Sequence, residues 1–123
     1  ENYINPKITD HYSFSGTDSI SFKPMLVEII NDIQNRENTD KIVTRFHNTV
    51  ALAALHQTEL AQKNSSINKV VLSGGCFQNK LLTEKLLTLL KNKGFETYIP
   101  HDIPVNDGGI ALGQIAIAAH KKL

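Results

Sequence analysis

The sequence predicts an α/β fold in which a small parallel or mixed sheet is packed with helices. Three observations predict it. A dense β-branched run, Val70-Val71-Leu72, follows a polar stretch. An amphipathic segment with Leu82, Leu86 and Leu89 on one face comes next and stops at Gly94. A second short run, Glu96–Ile99, is closed by Pro100. Strand, helix and strand in succession make a βαβ unit, whose strands should be parallel with a right-handed crossover.

The elements follow in order. Residues 1–20 are polar and without sustained period, with turn signals at Asn5-Pro6 and Ser15-Gly16. They read as an irregular lead-in, with an extended segment near Tyr12–Phe14, ahead of a single domain over residues 21–123. Ser21 to about Asn35 reads as a helix, with Pro24 in its first turn. Met25, Leu26, Ile29, Ile30 and Ile33 form its apolar face. Asp40 to about Lys63 reads as a long helix capped by Thr39 or Asp40. Its apolar face is Val43, Phe46, Val50, Ala53, Ala54 and Ala61.

Lys69–Ser73 is the first strand, apolar enough to be covered on both faces. The next helix spans about Phe77 to Lys93, with Gly94 at C′ and Lys91 and Lys93 favourably in the last turn. Asp107 or a neighbour starts a last helix that runs to about Lys122. Ile110, Leu112, Ile115 and Ile117, with alanines between them, make it apolar nearly all round. Such a helix should be largely buried.

Bulk properties set the class. The chain has 123 residues, room for one ordinary domain. Hydrophobic residues make up 41% and charged residues 20%, as in a soluble globular protein. A net charge of +1 offers no general grip on nucleic acid or an anionic membrane. No apolar run approaches a membrane span, and no leader pattern is visible. The single cysteine, Cys76, fits a reducing cytoplasm. A start at Glu1 reads as an excised or processed piece.

Two loops are candidates for chemistry. The first is Ser73-Gly74-Gly75, leading to Asn79. It lies at the carboxyl end of a strand, where open α/β sheets gather ligands. Glycines let a ligand approach the backbone, and free amides at the next helix start favour phosphate. Asn79 offers a donor and an acceptor to a ribose or base edge. A plain tight turn accounts for the same glycines. The second is Asn106-Asp107-Gly108-Gly109, where Asp107 suits a hard cation or simply caps a helix. No two histidines stand four apart, so a helical His-x-x-x-His is absent. His47 reads as a packed or hydrogen-bonded residue, and Cys76 as a small buried filler.

Three stretches together carry a resemblance. Val71-Leu72-Ser73-Gly74-Gly75-Cys76-Phe77-Gln78-Asn79 resembles the signature V-x-L-S-G-G-V-F-Q-N of HypF-type carbamoyltransferases. Pro104 through Gln114 resembles that family's P-x-N-D-G-G-I-A-L-G-Q, and Arg45-Phe46-His47-Asn48 resembles its R-F-H-N. The resemblance covers about residues 20–123 and matches the end of such chains.

It implies the C-terminal lobe of an actin/hexokinase/Hsp70-like (ASKHA) fold. It also implies a reaction: carbamoyl phosphate and ATP give carbamoyl-adenylate, and the carbamoyl group passes to the C-terminal cysteine of HypE, for cyanide ligands of nickel–iron hydrogenases. By the same resemblance Gly74, Gly75 and Asn79 match nucleotide-contacting positions. Ser73, Gly108 and Gly109 match positions that shape the pocket. Asp107 matches an aspartate that ligates a divalent metal (magnesium, iron or zinc). Cys76 stands where the family often has valine.

The implied partners are the remaining HypF domains and HypE, with no nucleic acid and no membrane. The family's metal-binding histidine pair and its adenylate-forming module are not in these residues, so the chain alone is expected to be catalytically incomplete. Two other readings stand beside this one. A TsaD-type tRNA threonylcarbamoyl transferase would share the architecture, and a non-catalytic docking domain would keep the fold alone. Self-association through the apolar last helix is a further expectation.

Overall fold

The computed structural model describes residues 4–17 and 19–121. It contains four helices and a two-stranded sheet: α1 (Lys23–Gln34), α2 (Thr39–Ser65), β1 (Lys69–Val71), α3 (Lys80–Asn92), β2 (Glu96–Tyr98) and α4 (Ile110–His120). Short 3-10 turns at Gly75–Gln78 and Asp107–Gly109 precede α3 and α4. The first three residues of the lead-in and the expected helix end at Lys122 lie outside the described residues.

The βαβ expectation holds. β1 and β2 pair in parallel, with Lys69, Val70 and Val71 opposite Glu96, Thr97 and Tyr98. Gly94 ends α3 in the left-handed region at φ +81°, where a side chain would be strained. The hydrophobic core lies between α2, α3 and the sheet. Leu55, Leu72, Leu86, Leu90 and Phe95 are buried there, with Val70, Phe77, Leu89 and Ile99 against them. The sheet is not covered on both faces as its composition suggests. Val71 is 65% exposed, because the described elements pack one side only.

A second packing centre joins the lead-in to α1 and α2. The α2 face turned to the lead-in is polar: Thr44, Asn48 and Thr49 are buried. Each threonine hydroxyl donates to the carbonyl one turn earlier, Asp40 at 2.6 Å and Arg45 at 2.7 Å. Each then accepts an amide of the lead-in, Asn5 at 3.1 Å and Tyr12 at 2.8 Å. Asn48 Nδ2 donates to the carbonyls of Ile8 (3.2 Å) and Asp10 (2.8 Å). Buried polar groups are tolerated when bonded in this way. Phe46, expected on the core face, is instead 40% exposed.

Tyr12 is fully buried, with its hydroxyl donating to Asp32 at 2.8 Å. The Arg45 guanidinium lies 4.0 Å from the Tyr12 ring centroid. It reaches three carboxylates: Asp32 at 2.8 Å, Asp10 at 3.2 Å and Glu28 at 3.5 Å. Its Nε approaches Asp10 outside hydrogen-bond geometry, so that contact is coulombic. An irregular segment is thereby held in place without strands of its own beyond one bridge, Ser15 to Ser21.

Three expectations are corrected. α4 is not buried: Ile110, Leu112, Ile115 and Ile117 are 47–65% exposed, and no described element covers them. Its all-round apolar composition signals burial but carries no information on what does the burying. The long helix is capped by Asn38, whose side chain accepts from Asp40 N at 2.8 Å, rather than by Thr39 or Asp40. In α1 only Met25 is buried; Leu26, Ile30 and Ile33 of the expected apolar face are more than half exposed. Among the described residues no helix is long and apolar enough to cross a membrane.

Burial, then the hydrogen bond and charge of Asp32, push the Tyr12 hydroxyl pKa well above its ordinary 10.0. The sign follows: as pH rises past 10 the unfolded chain releases this proton and the folded chain keeps it, so stability falls. Urea midpoints measured from pH 9 to 11.5 should decline more steeply for the parent chain than for Tyr12→Phe. The expected difference in slope approaches about 1.4 kcal/mol per pH unit.

Candidate nucleotide site

The two candidate loops meet. After β1, the buried Leu72 extends the ladder by donating its amide to Tyr98 O at 2.9 Å. The chain then turns at Gly74, whose φ of +109° and ψ of 158° belong to a region that glycine alone adopts readily. This conformation turns the Gly74 amide onto the Val105 carbonyl at 2.5 Å. One backbone bond thus joins the Gly74–Asn79 segment to the Pro104–Gly109 segment.

A Cβ at Gly74 or Gly75 would meet nothing within 4 Å. Packing therefore does not explain the second glycine, and the backbone there is open to approach. The helix does not start at Phe77 as expected. A 3-10 turn over Gly75–Gln78 intervenes, and its opening amides lack internal acceptors as at any helix start. α3 then begins after Asn79, whose Oδ1 accepts from Leu82 N at 3.0 Å. Thr83 braces the junction, its hydroxyl 2.9 Å from Asn79 O and 3.1 Å from Phe77 O.

In the second loop the cap is Asn106, not Asp107: its Oδ1 accepts from Gly108 N at 3.0 Å. Gly109 donates its amide to Asn106 O at 3.0 Å, and a Cβ there would stand 2.6 Å from Pro104 O. Gly109 is therefore required by the turn, while Gly108 is merely close to Asn106 Oδ1 at 3.1 Å. Freed from capping, the Asp107 carboxylate is exposed. Among the described residues no three His, Cys, Asp or Glu groups assemble to hold a metal. The Asp107 carboxylate could give a cation one hard oxygen ligand.

Ser73 is exposed beside Gly74. Cys76 is exposed, which corrects the expectation of a buried filler; a 3-10 turn, rather than helix packing, sets its direction. His47 is hydrogen-bonded as expected, with Nδ1 2.9 Å from Val43 O and its ring edge-on to Phe46 at 5.5 Å. Its other nitrogen lies 3.1 Å from Asn79 Nδ2, a contact that 32 residues of separation hid from sequence reasoning. A cavity of about 430 Å³ opens elsewhere, between the lead-in, α2 and α3, and is walled mainly by aliphatics such as Ile8, Leu52 and Leu81. None of the candidate residues lines it.

The profile of the carbamoyltransferase Kae1-like domain, second subdomain, matches residues 1–114. The chain belongs to the HypF carbamoyltransferase family. The HypF carbamoyltransferase of Synechocystis sp. is 33% identical over 121 residues, 94% of this chain and 15% of that protein. A crystal structure of full-length HypF in a phosphate- and nucleotide-bound form superposes with a TM-score of 0.88 at 36% identity, covering 96% of this chain and 19% of that one. The tRNA N6-adenosine threonylcarbamoyltransferase of Thermosipho melanesiensis is 31% identical over 105 residues, 84% of this chain and 31% of that protein. The chain thus spans less than a fifth of the HypF proteins it matches. The family's fold, an α/β lobe with a small parallel sheet, is the one observed.

The glycines can be told apart by substitution. Gly74→Ala should cost about 1–3 kcal/mol in a urea titration, through backbone strain. Gly75→Ala, with open space and no positive φ, should stay within about 0.5 kcal/mol.

Proposed function

We propose that the chain is the nucleotide-facing part of a HypF-type carbamoyltransferase, with the loops of Gly74 and Asp107 forming one wall of the site. The observation that carries this is the Gly74 N–H to Val105 O bond, which unites the two loops at the carboxyl end of β1. The nucleotide-bound state of the matching HypF structure supports it.

In this reading water releases phosphate from carbamoyl phosphate, and the carbamate oxygen then attacks the α-phosphorus of ATP, giving carbamoyl-adenylate as pyrophosphate leaves. The thiolate of the C-terminal cysteine of HypE attacks its carbonyl carbon, a C–S bond forms, and AMP leaves with the C–O electron pair. An acyl-adenylate is already activated, so the site's work is to position it, exclude water and stabilise charge. The backbone of Gly74 and Gly75 admits phosphate oxygens without steric interference, and Ser73 offers a hydroxyl beside them. Asn79 offers amide groups to the ribose or base. Gly109 holds the turn that presents Asp107. A divalent cation (magnesium, iron or zinc) would supply neutralisation of phosphate charge, held here by Asp107 alone.

Among the described residues no ligand cluster joins Asp107, and the chain spans less than a fifth of its relatives' length, so in this reading it is an incomplete catalyst that works with the remaining HypF domains. A second reading, threonylcarbamoyl transfer to tRNA, draws on the Thermosipho relative. A net charge of +1 does not advertise a basic tRNA-facing surface, which other lobes would have to supply, and the Phe77-Gln78 wording sides with HypF.

The test is reconstitution. The 123-residue chain should bind ADP yet show no turnover of carbamoyl-adenylate, whereas a protein carrying all HypF segments should turn over. In that protein Asp107→Ala should lower activity by about a hundredfold, the scale on which metal-site changes act. Turnover by the pure chain, or full activity of the variant, would refute the proposal. The exposed faces of α1 and α4 should also make the chain associate. Light scattering should show mass rising with concentration, and Ile115→Lys should reduce the rise.

A further inference from the structure

We propose that His47 is a positioning residue of this site, fixing the orientation of the Asn79 side-chain amide. The proposal rests on the nucleotide reading for its ligand. Hydrogen-bond direction carries the geometry. At one end of a four-member chain stands the Val43 carbonyl, which can only accept. His47 Nδ1, 2.9 Å away, therefore carries a proton. At the other end stands the Leu82 amide, which can only donate. The Asn79 atom 3.0 Å from it is therefore the oxygen.

Asn79 Nδ2 consequently faces His47 Nε2 at 3.1 Å. A neutral imidazole has one N–H and one bare nitrogen. Since Nδ1 holds the proton, Nε2 is the acceptor that the amide requires. Backbone groups of opposite character at the two ends thus fix one tautomer and one amide orientation, where side chains alone would leave both ambiguous.

The accounting leaves something over. A carboxamide has two N–H groups and two oxygen lone pairs. Capping α3 uses one lone pair and His47 uses one N–H. One of each remains on an exposed side chain beside the Gly74–Gln78 backbone. The Phe46 ring stands edge-on to the imidazole at 84°. Removal of His47 would free the amide to rotate between the cap and solvent, and its spare donor and acceptor would no longer point in fixed directions.

Two measurements on the 15N-labelled chain test this. Long-range proton–nitrogen correlation at neutral pH should show His47 protonated at Nδ1 and bare at Nε2. The Nε2–H tautomer would overturn the proposal without reference to any ligand. ADP titration should then show binding weakened about tenfold in His47→Leu, the scale of one lost hydrogen bond. His47→Gln, whose side-chain oxygen can accept from Asn79, should recover most of it. ADP binding by His47→Leu equal to the parent's, with Asn79→Ala impaired, would also overturn it. The expected tautomer in a parent chain that takes up no ADP would sink the nucleotide reading, and with it any ligand for His47 to serve.

Discussion

The half-buried guanidinium of Arg45 is the constraint on which the first half of the structure depends. It lies over the Tyr12 ring and among Asp10, Glu28 and Asp32, so it ties the lead-in, α1 and α2 with one side chain. Planarity suits it to this: the face stacks while the edge forks towards carboxylates. Three carboxylates around one cation would repel without it. α1 in particular buries little apolar surface, with Met25 its only buried residue, so its placement leans on Glu28 and Asp32.

The same stretch of α2 also faces the other way. Successive helical residues point about 100° apart, so the four residues Arg45 to Asn48 cover nearly the whole circumference. Arg45 and Asn48 hold the lead-in, Phe46 faces outward, and His47 turns to the loop after β1. A four-residue motif thereby serves scaffold and site together. The glycine loops are linked to this scaffold by Asn79 and to each other by the Gly74 amide, so the site wall is built from main-chain bonds and one side-chain relay.

Much of the second half was legible in the sequence because its determinants are local. Val70 and Val71, the leucine period of α3, Gly94 and Pro100 each act within a few residues of themselves. The site glycines were legible as glycines, but their separate duties were not: strain at Gly74, steric need at Gly109 and open space at Gly75 depend on what lies nearby. Caps were misplaced by one or two residues, at Asn38 and Asn106, since neighbouring Asn, Asp and Thr suit the role almost equally. The lead-in was illegible for a different reason. Its anchor, Tyr12, meets partners 20 and 37 residues away, and its side chain packs under Arg45 and bonds Asp32 rather than joining an apolar stripe.

Those separations bear on the order in which these elements fold. Tyr12 meets Thr49 across 37 residues, and Asn48 holds the Ile8 and Asp10 carbonyls across 40 and 38. The lead-in precedes α2 in the chain, so its backbone amides and carbonyls wait for α2 before they find partners. The turn from α3 into β2 is local by contrast, with the Phe95 amide bonded to Leu90 O, and local contacts form faster than distant ones. The lead-in is therefore a clasp that closes over α2 once that helix is wound.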